Sequence, residues 1–281
     1  MDKAMQIAYN EHFELNCKLA AEAGFQGISV NFHDMTDRSK KAWEEAPERI
    51  CSILEQTHLK CVQTHLPYYP LRTSAEILEE DMEDAMYHSI EVSGRIGAPW
   101  CVYHPRSAVN AGFVRKKSLE INQEVIGRYL ECALKYGTGM ALENLPIFHG
   151  VIPVMPFYTS DYSDLCELTD GFGSAKVGIC WDTGHANLMH LDQADAVKYL
   201  GKRIVCTHVH NNFGDADWHL TPETGNIAWD KVMKAFGEIG YQGPLTLEVH
   251  CYYHEEQLLS SFMKHNYHCL EFLEKIVEAG N

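Results

Sequence analysis

Arg203–Trp229 reads RIVCTHVHNNFGDADWHLTPETGNIAW. It opens as a buried strand, because Val205, Cys206 and Val209 are small, branched or apolar. Alternation with period two puts Cys206, His208 and His210 on one face and Val205, Thr207 and Val209 on the other. Two imidazoles therefore leave the end of one strand in the same direction. The polar loop that follows brings back Asp217 and His219, a carboxylate and an imidazole two residues apart. Hard and borderline donors crowded into so short a stretch are what a divalent-metal site needs. Taken alone, the stretch also fits two satisfied core histidines beside an ordinary acidic turn. From Trp229 the pattern becomes helical, so the stretch is one strand–loop–helix unit.

The same unit recurs outward along the chain. Strands are expected at Met5–Tyr9, Phe25–Phe32, Leu59–His65, Trp100–His104, Met140–Asn144, Val177–Asp182, Ile204–His210 and Leu245–Val249. Helices are expected at His12–Ala23, Trp43–Thr57, Ala75–Ile96, Arg115–Tyr136, Asp161–Thr169, Asp192–Leu200, Trp229–Ile239 and Glu255–Glu278. Gly24 stops the first of them. Eight strands alternating with eight helices through mostly short connections imply an α/β fold, a (β/α)8 TIM barrel, with residues 1–281 as a single domain. The runner-up is an open doubly wound sheet, but no strand–helix turn carries its phosphate-binding glycine motifs. The longest irregular segment, Leu145–Ser160, holds three prolines and three aromatics. It reads as an ordered lid or, equally, as a packed loop without function.

Composition narrows the function. The chain has 281 residues, 46% hydrophobic and 22% charged, an ordinary globular mixture. Its 23 Lys+Arg against 39 Asp+Glu give a net charge of −16. So acidic a surface repels nucleic acid and anionic membrane. The ten cysteines include no C-x-x-C pair, and Cys61, Cys101, Cys180, Cys206 and Cys251 lie in or beside strands as small apolar residues. They read as reduced thiols, which implies a cytoplasmic protein. Neither a leader-like apolar segment nor a membrane span is expected.

Barrel active sites sit at the C-terminal ends of the strands. Here successive strand ends give His65, His104, Glu143, Asp182 with His185, His208 with His210, and Glu248 with His250. The strand interiors otherwise hold almost no charge. A carboxylate buried at the end of an apolar strand needs a cation or strong hydrogen bonds. A divalent metal supplies the cation.

The motifs ALEN, CWDTGH, THVHNN…H…TGNIAW and LEVH, in this order at these strand ends, resemble the xylose-isomerase-like barrel superfamily. That superfamily contains sugar (phosphate) isomerases and epimerases and the endonuclease IV type of DNA-repair enzyme. The resemblance covers nearly the whole chain and is poorly specific for the substrate. It implies one divalent ion (Mn2+, Zn2+, Mg2+ or Co2+) held by Glu143, Asp182, His208 and Glu248, as in the ketose 3-epimerases. It also implies substrate contact by His185 and proton transfer by Glu143 and Glu248 as the catalytic pair. Two departures stand out. The ketose 3-epimerases carry an arginine after the strand-seven histidine, whereas Asn211–His219 has no basic residue but His219. Further, His65, His104 and the pair Asp217 and His219 match additional ligands of the trinuclear endonuclease IV. His65, His104, His185, His210, Asp217 and His219 are therefore candidates for substrate binding or additional metal, with His210 a ligand or a supporting group.

The expected function is a divalent-metal-dependent isomerase or epimerase of a sugar or sugar-like substrate, working by proton transfer through an enediolate. The alternatives are a multinuclear metal phosphoesterase and a non-enzymatic barrel that binds metal or sugar. Arg72 and Arg106 read as solvated loop charges, or as phosphate contacts in the phosphoesterase. Trp181, Phe148 and Phe157 are candidate pocket walls, with core packing the alternative for Trp181. The expected partner is a small-molecule carbohydrate, not nucleic acid or membrane, and a homo-oligomer is allowed.

Overall fold

The computed structural model describes residues 1–35, 37–68, 80–108, 115–146, 157–251, 253 and 255–279. Strands β1 (Lys3–Ala8), β2 (Gly27–Asn31), β3 (Lys60–His65) and β4 (Trp100–Tyr103) alternate with helices α1 (Phe13–Ala23), α2 (Lys40–Thr57) and α3 (Glu80–Arg95). Then come α4 (Arg115–Tyr136), β5 (Gly139–Glu143), α5 (Tyr162–Gly171), β6 (Val177–Asp182), α6 (Thr183–Leu188) and α7 (Gln193–Leu200). The chain finishes with β7 (Ile204–His208), α8 (Trp229–Glu238), β8 (Leu245–Leu247) and α9 (Glu256–Ala279). All neighbouring strands are parallel, in the order β7-β6-β5-β4-β3-β2-β1-β8. A parallel bridge between Val209 and Leu247 joins the two ends, so the sheet closes into a (β/α)8 barrel.

Local chemistry fixes the element ends. α1 stops where Gly24 takes φ 108° and donates its N–H to the carbonyls of Ala20 and Ala21. α2 begins at Lys40, not Trp43, because the Ser39 hydroxyl accepts from Ala42 N–H. The expected start of α3 at Ala75 lies outside the described residues. β7 and β8 are shorter than the alternating pattern. After His208 the chain leaves β6; Asn211 pairs antiparallel with Leu220, which folds the β7–α8 loop back on itself.

Between sheet and helices lies the large core, with Phe13, Ile28, Val30, Phe32 and Ile50 fully buried. Val102, Ala141, Cys180 and Cys206 form a second cluster inside the barrel. Each sits two residues before a strand-end donor: His104, Glu143, Asp182 or His208. By the period of the strand they point to the same side as that donor, so an apolar layer floors the polar one. Gln63 crosses this interior, donating to the carbonyl of Thr207 at 3.3 Å and accepting from the Thr246 hydroxyl at 3.0 Å. The ten cysteines are free thiols. Among the described residues no helix is long and apolar enough to cross a membrane.

Candidate metal centre

Strand register gathers the donors. Asp182 stands beside His208, and His65 beside Asn31, at the C-terminal ends of their strands. Glu143, Asp182, His208 and His210 are wholly buried. On one side of the mouth, Glu143 Oε2 lies 3.1 Å from His104 Nε2 and 3.5 Å from His65 Nε2. At the centre, His208 Nδ1 lies 3.3 Å from Glu143 Oε1 and 3.1 Å from Glu248 Oε2, with Asp182 Oδ2 at 3.9 Å. On the far side, Asp217 Oδ2 lies 3.3 Å from His185 Nε2 and 3.2 Å from His219 Nε2. His210 Nε2 lies 3.0 Å from Asp182 Oδ2, and its ring stacks on His219 at 4.1 Å. Ten of the eleven donors singled out in the sequence thus meet at one mouth, and the eleventh, His250, stacks on His219 at 4.4 Å.

Backbone carbonyls orient three of the rings. Nδ1–H donates to Leu66 O at 2.8 Å in His65, to Asn144 O at 2.8 Å in His185, and to Glu248 O at 2.9 Å in His219. In the neutral ring this leaves the Nε2 lone pair aimed into the mouth. Metal-ligating histidines are held by such an outer hydrogen bond.

Several supporting residues escaped the sequence reading. The Asn144 side chain clamps Asp182 from both sides, donating to its carbonyl at 2.8 Å and accepting from its N–H at 2.7 Å. Asp182 Oδ1 accepts from His185 N–H at 2.6 Å and so caps α6, while Oδ2 faces His210. Gly184 is needed because a Cβ there overlaps the His210 ring. From β1, Gln6 Nε2 donates to Glu248 Oε1 at 2.6 Å. His33 stacks on Tyr68 at 3.6 Å, and Tyr68 on His104 at 4.7 Å, which walls one side. The signal for Gln6 and Asn144 was their place beside the ligand layer, which is visible only once the strand ends are fixed.

Other expectations divide. Arg106 is not a solvated loop charge: it is buried, donating to the hydroxyls of Tyr103 at 3.1 Å and Tyr129 at 3.3 Å. Trp181 is wholly buried in the core, while Phe157 is half-buried. Arg72, Phe148 and most of the expected lid lie outside the described residues.

Burial opposes charge throughout the mouth, yet opposite charges overcome it. Glu143 resists the upward push of burial and is held well below the ordinary carboxylate range by His208 and His104. Glu248 is held down in the same way by His208 and His219. Asp217 is lowered strongly against burial by His185 and His219. Against burial, Glu248 and Glu143 raise His208, and Asp182 and Asp217 raise His185. His219 is pushed up to about 9, against burial, by its contact with Asp217 and by Glu248. His104 goes the other way, since burial outweighs Glu143.

The donor set fits a divalent cation. Both carboxylate oxygens of Glu143 and both ring nitrogens of His208 are buried without an aligned hydrogen-bond partner among the described residues. Such orphaned groups are rare unless a water or ion satisfies them. The donors fall into overlapping groups with atoms within 4.8 Å of one another: His65, His104 and Glu143; His65, His208 and Glu248; His185, His210, Asp217 and His219. Carboxylates and imidazoles in this number suit borderline ions such as zinc or manganese.

Residues 17–265 match the family model described as xylose isomerase-like TIM barrel. An uncharacterized protein of Methanocaldococcus jannaschii is 28% identical over 241 residues, 79% of each chain. A D-psicose 3-epimerase of Enterocloster bolteae is 33% identical over 82 residues, 29% of this chain and only 26% of that protein. Among solved structures, a D-tagatose 3-epimerase-like protein superposes with a TM-score of 0.73 at 22% identity, over 99% of this chain and 100% of its own. The IolI protein, solved with a bound zinc atom, gives 0.74 at 15% identity, over 100% and 99%. At these identities the structural likeness carries the fold.

Proposed function

The chain belongs to the xylose isomerase-like TIM barrel family, and from that premise we propose that it is a divalent-metal-dependent isomerase or epimerase of a sugar-like substrate. One observation carries the proposal. Glu143 and Glu248 are two carboxylates that approach one nitrogen, His208 Nδ1, from different strands at 3.3 and 3.1 Å. Both are held ionised, and both therefore begin as bases. A bound divalent ion supplies Lewis-acid polarisation of neighbouring substrate oxygens. Glu143, Asp182, His208 and Glu248 would hold it. Glu143 or Glu248 would take a proton from a carbon beside the carbonyl, and the other, having drawn a proton from solvent, would return one. Gln6 fixes Glu248 through Oε1 and leaves Oε2 turned to the reaction side. His185, braced by Asn144 O, orients a substrate hydroxyl. The dry floor of Val102, Ala141, Cys180 and Cys206 keeps water from below.

The test is a carbohydrate panel in deuterated water with the metal-loaded protein. Deuterium entering a substrate carbon as a ketose or aldose is converted supports the reading; conversion without exchange, or none across the panel, counts against it.

A second reading, a multinuclear metal phosphoesterase, is favoured by the His65–His104–Glu143 group and by Asp217 with His219. These exceed what a single ion needs. The net charge of −16 disfavours duplex DNA as the substrate. Metal content per chain, together with turnover of a chromogenic phosphodiester and of an abasic-site duplex, separates the two readings. Two or more ions with phosphodiester turnover and no carbon-bound exchange reverse their order.

A further inference from the structure

On the flank of the barrel, α9 and the β7–α8 loop bring a separate set of donors together. His265 and Cys269 are four residues apart on α9, hence on one face a turn apart. His265 Nε2 lies 3.7 Å from Cys269 Sγ. Glu223 comes from the loop, and one donor atom of each of the three lies within 4.8 Å of the other two. The thiol is buried, whereas the imidazole and carboxylate are exposed.

We propose that Glu223, His265 and Cys269 form a second metal site, distinct from the barrel mouth, that takes a zinc-type divalent cation. The donors select its class. A thiolate with an imidazole favours zinc or a similar ion over magnesium or calcium, which prefer all-oxygen shells. Three protein donors, two of them open to solvent, leave a fourth tetrahedral position for water. Binding forms a metal–sulfur bond as the thiol proton leaves to solvent, with no change of oxidation state. Without a cation the thiol keeps its proton, since burial and then Glu223 push it up to about 11. A cation between the three groups reverses that preference.

The site also has a consequence for the mouth. The carbonyl of Pro222, next to Glu223, accepts from Asn211 Nδ2 at 2.7 Å and from Trp229 Nε1 at 2.6 Å. Asn211 and Leu220 exchange backbone hydrogen bonds at 2.9 and 3.0 Å. Glu223 is therefore built into the same folded loop that carries Asp217 and His219. A cation on Glu223, His265 and Cys269 fastens that loop to α9 from outside.

The experiment titrates Co2+ into the full chain already loaded at the mouth. The wild type is expected to take one further equivalent, with a near-ultraviolet thiolate-to-cobalt charge-transfer band. His265→Ala and Glu223→Gln, both at exposed side chains, should weaken that equivalent by more than the roughly tenfold cost of losing an outer partner. Cys269→Ala should abolish the band. Zn2+ should raise the Tm of the loaded wild type and leave that of His265→Ala unchanged. No further equivalent in the wild type overturns the proposal. So does a band of full intensity in Cys269→Ala, which places the thiolate on another cysteine.

Discussion

Four imidazoles, those of His65, His104, His185 and His208, approach the Glu143 carboxylate to within 3.5 Å. A carboxylate with no solvent exposure survives ionised only in such company. Charge and proton transfer are different demands on it, and one substitution helps to separate them. Gln keeps the size and one oxygen but cannot titrate. Glu143→Gln and Glu248→Gln are each expected to lower turnover by at least about a hundredfold, the scale of a lost general base. Metal content must be measured in both variants, because lost metal imitates lost catalysis. Wild-type turnover with normal metal content in both rules out the two-glutamate mechanism. Gly184 makes a different demand, for space. In Gly184→Ala the new methyl overlaps His210, and the ring must move off Asp182. Overpacking of this kind costs about 1–3 kcal/mol. Urea unfolding should show that loss, together with weaker metal binding; an unchanged midpoint means that the ring yields freely.

Elements bring these residues into place, and their ends matter more than their middles. Asn144, just past β5, holds the end of β6 through two hydrogen bonds to Asp182. Asn144→Ala leaves a buried N–H and C=O unpaired, at about 1–3 kcal/mol. It should also weaken metal binding by roughly 10- to 100-fold, as lost outer partners do. Calorimetry of the loaded and metal-free forms checks both; a stability loss without any affinity loss makes Asn144 merely structural. The strand–helix alternation was legible in the sequence because buried parallel strands are short apolar runs between helical periodicities. The strand ends were less so. His210 and Val249 continue the period-two pattern, but the β6–β7 pairing stops at His208 and the chain turns. α6 was not legible at all: TGHANL is too short to show a helical repeat, and Asp182 caps it from the strand before. The donors themselves stood out as charge at apolar strand ends. Which ring nitrogen each presents did not, because the carbonyls of Leu66, Asn144 and Glu248 decide it only after folding.

The closed barrel makes one object of donors spread from His65 to Glu248. No element contains them all; closure between Val209 and Leu247 brings β8 beside β7 and Glu248 onto His208. The resulting charge balance predicts how the mouth responds to pH. Without metal, Glu143, Glu248 and Asp217 are held ionised, and His185, His208 and His219 are held protonated above the ordinary imidazole range. A metal ion competes with those ring protons, so binding near pH 7 must release protons. Apparent affinity should climb as pH rises, because losing the His208 ring proton, held on against burial by Glu248 and Glu143, frees a ligand nitrogen. Stability of the metal-free form should run the opposite way. The raised imidazole contributes stability that is full below the unfolded histidine value of about 6.5 and is lost as pH passes through about 9. The loaded form, in which the cation takes over from the ring protons the balancing of Glu248 and its neighbours, should show a smaller loss. Titration calorimetry in two buffers of different ionisation enthalpy counts the protons, and thermal unfolding at pH 7 and pH 9, with and without chelator, checks the stability. Metal binding without proton release, or equal pH sensitivity of the two forms, removes the cation from the role given to it here.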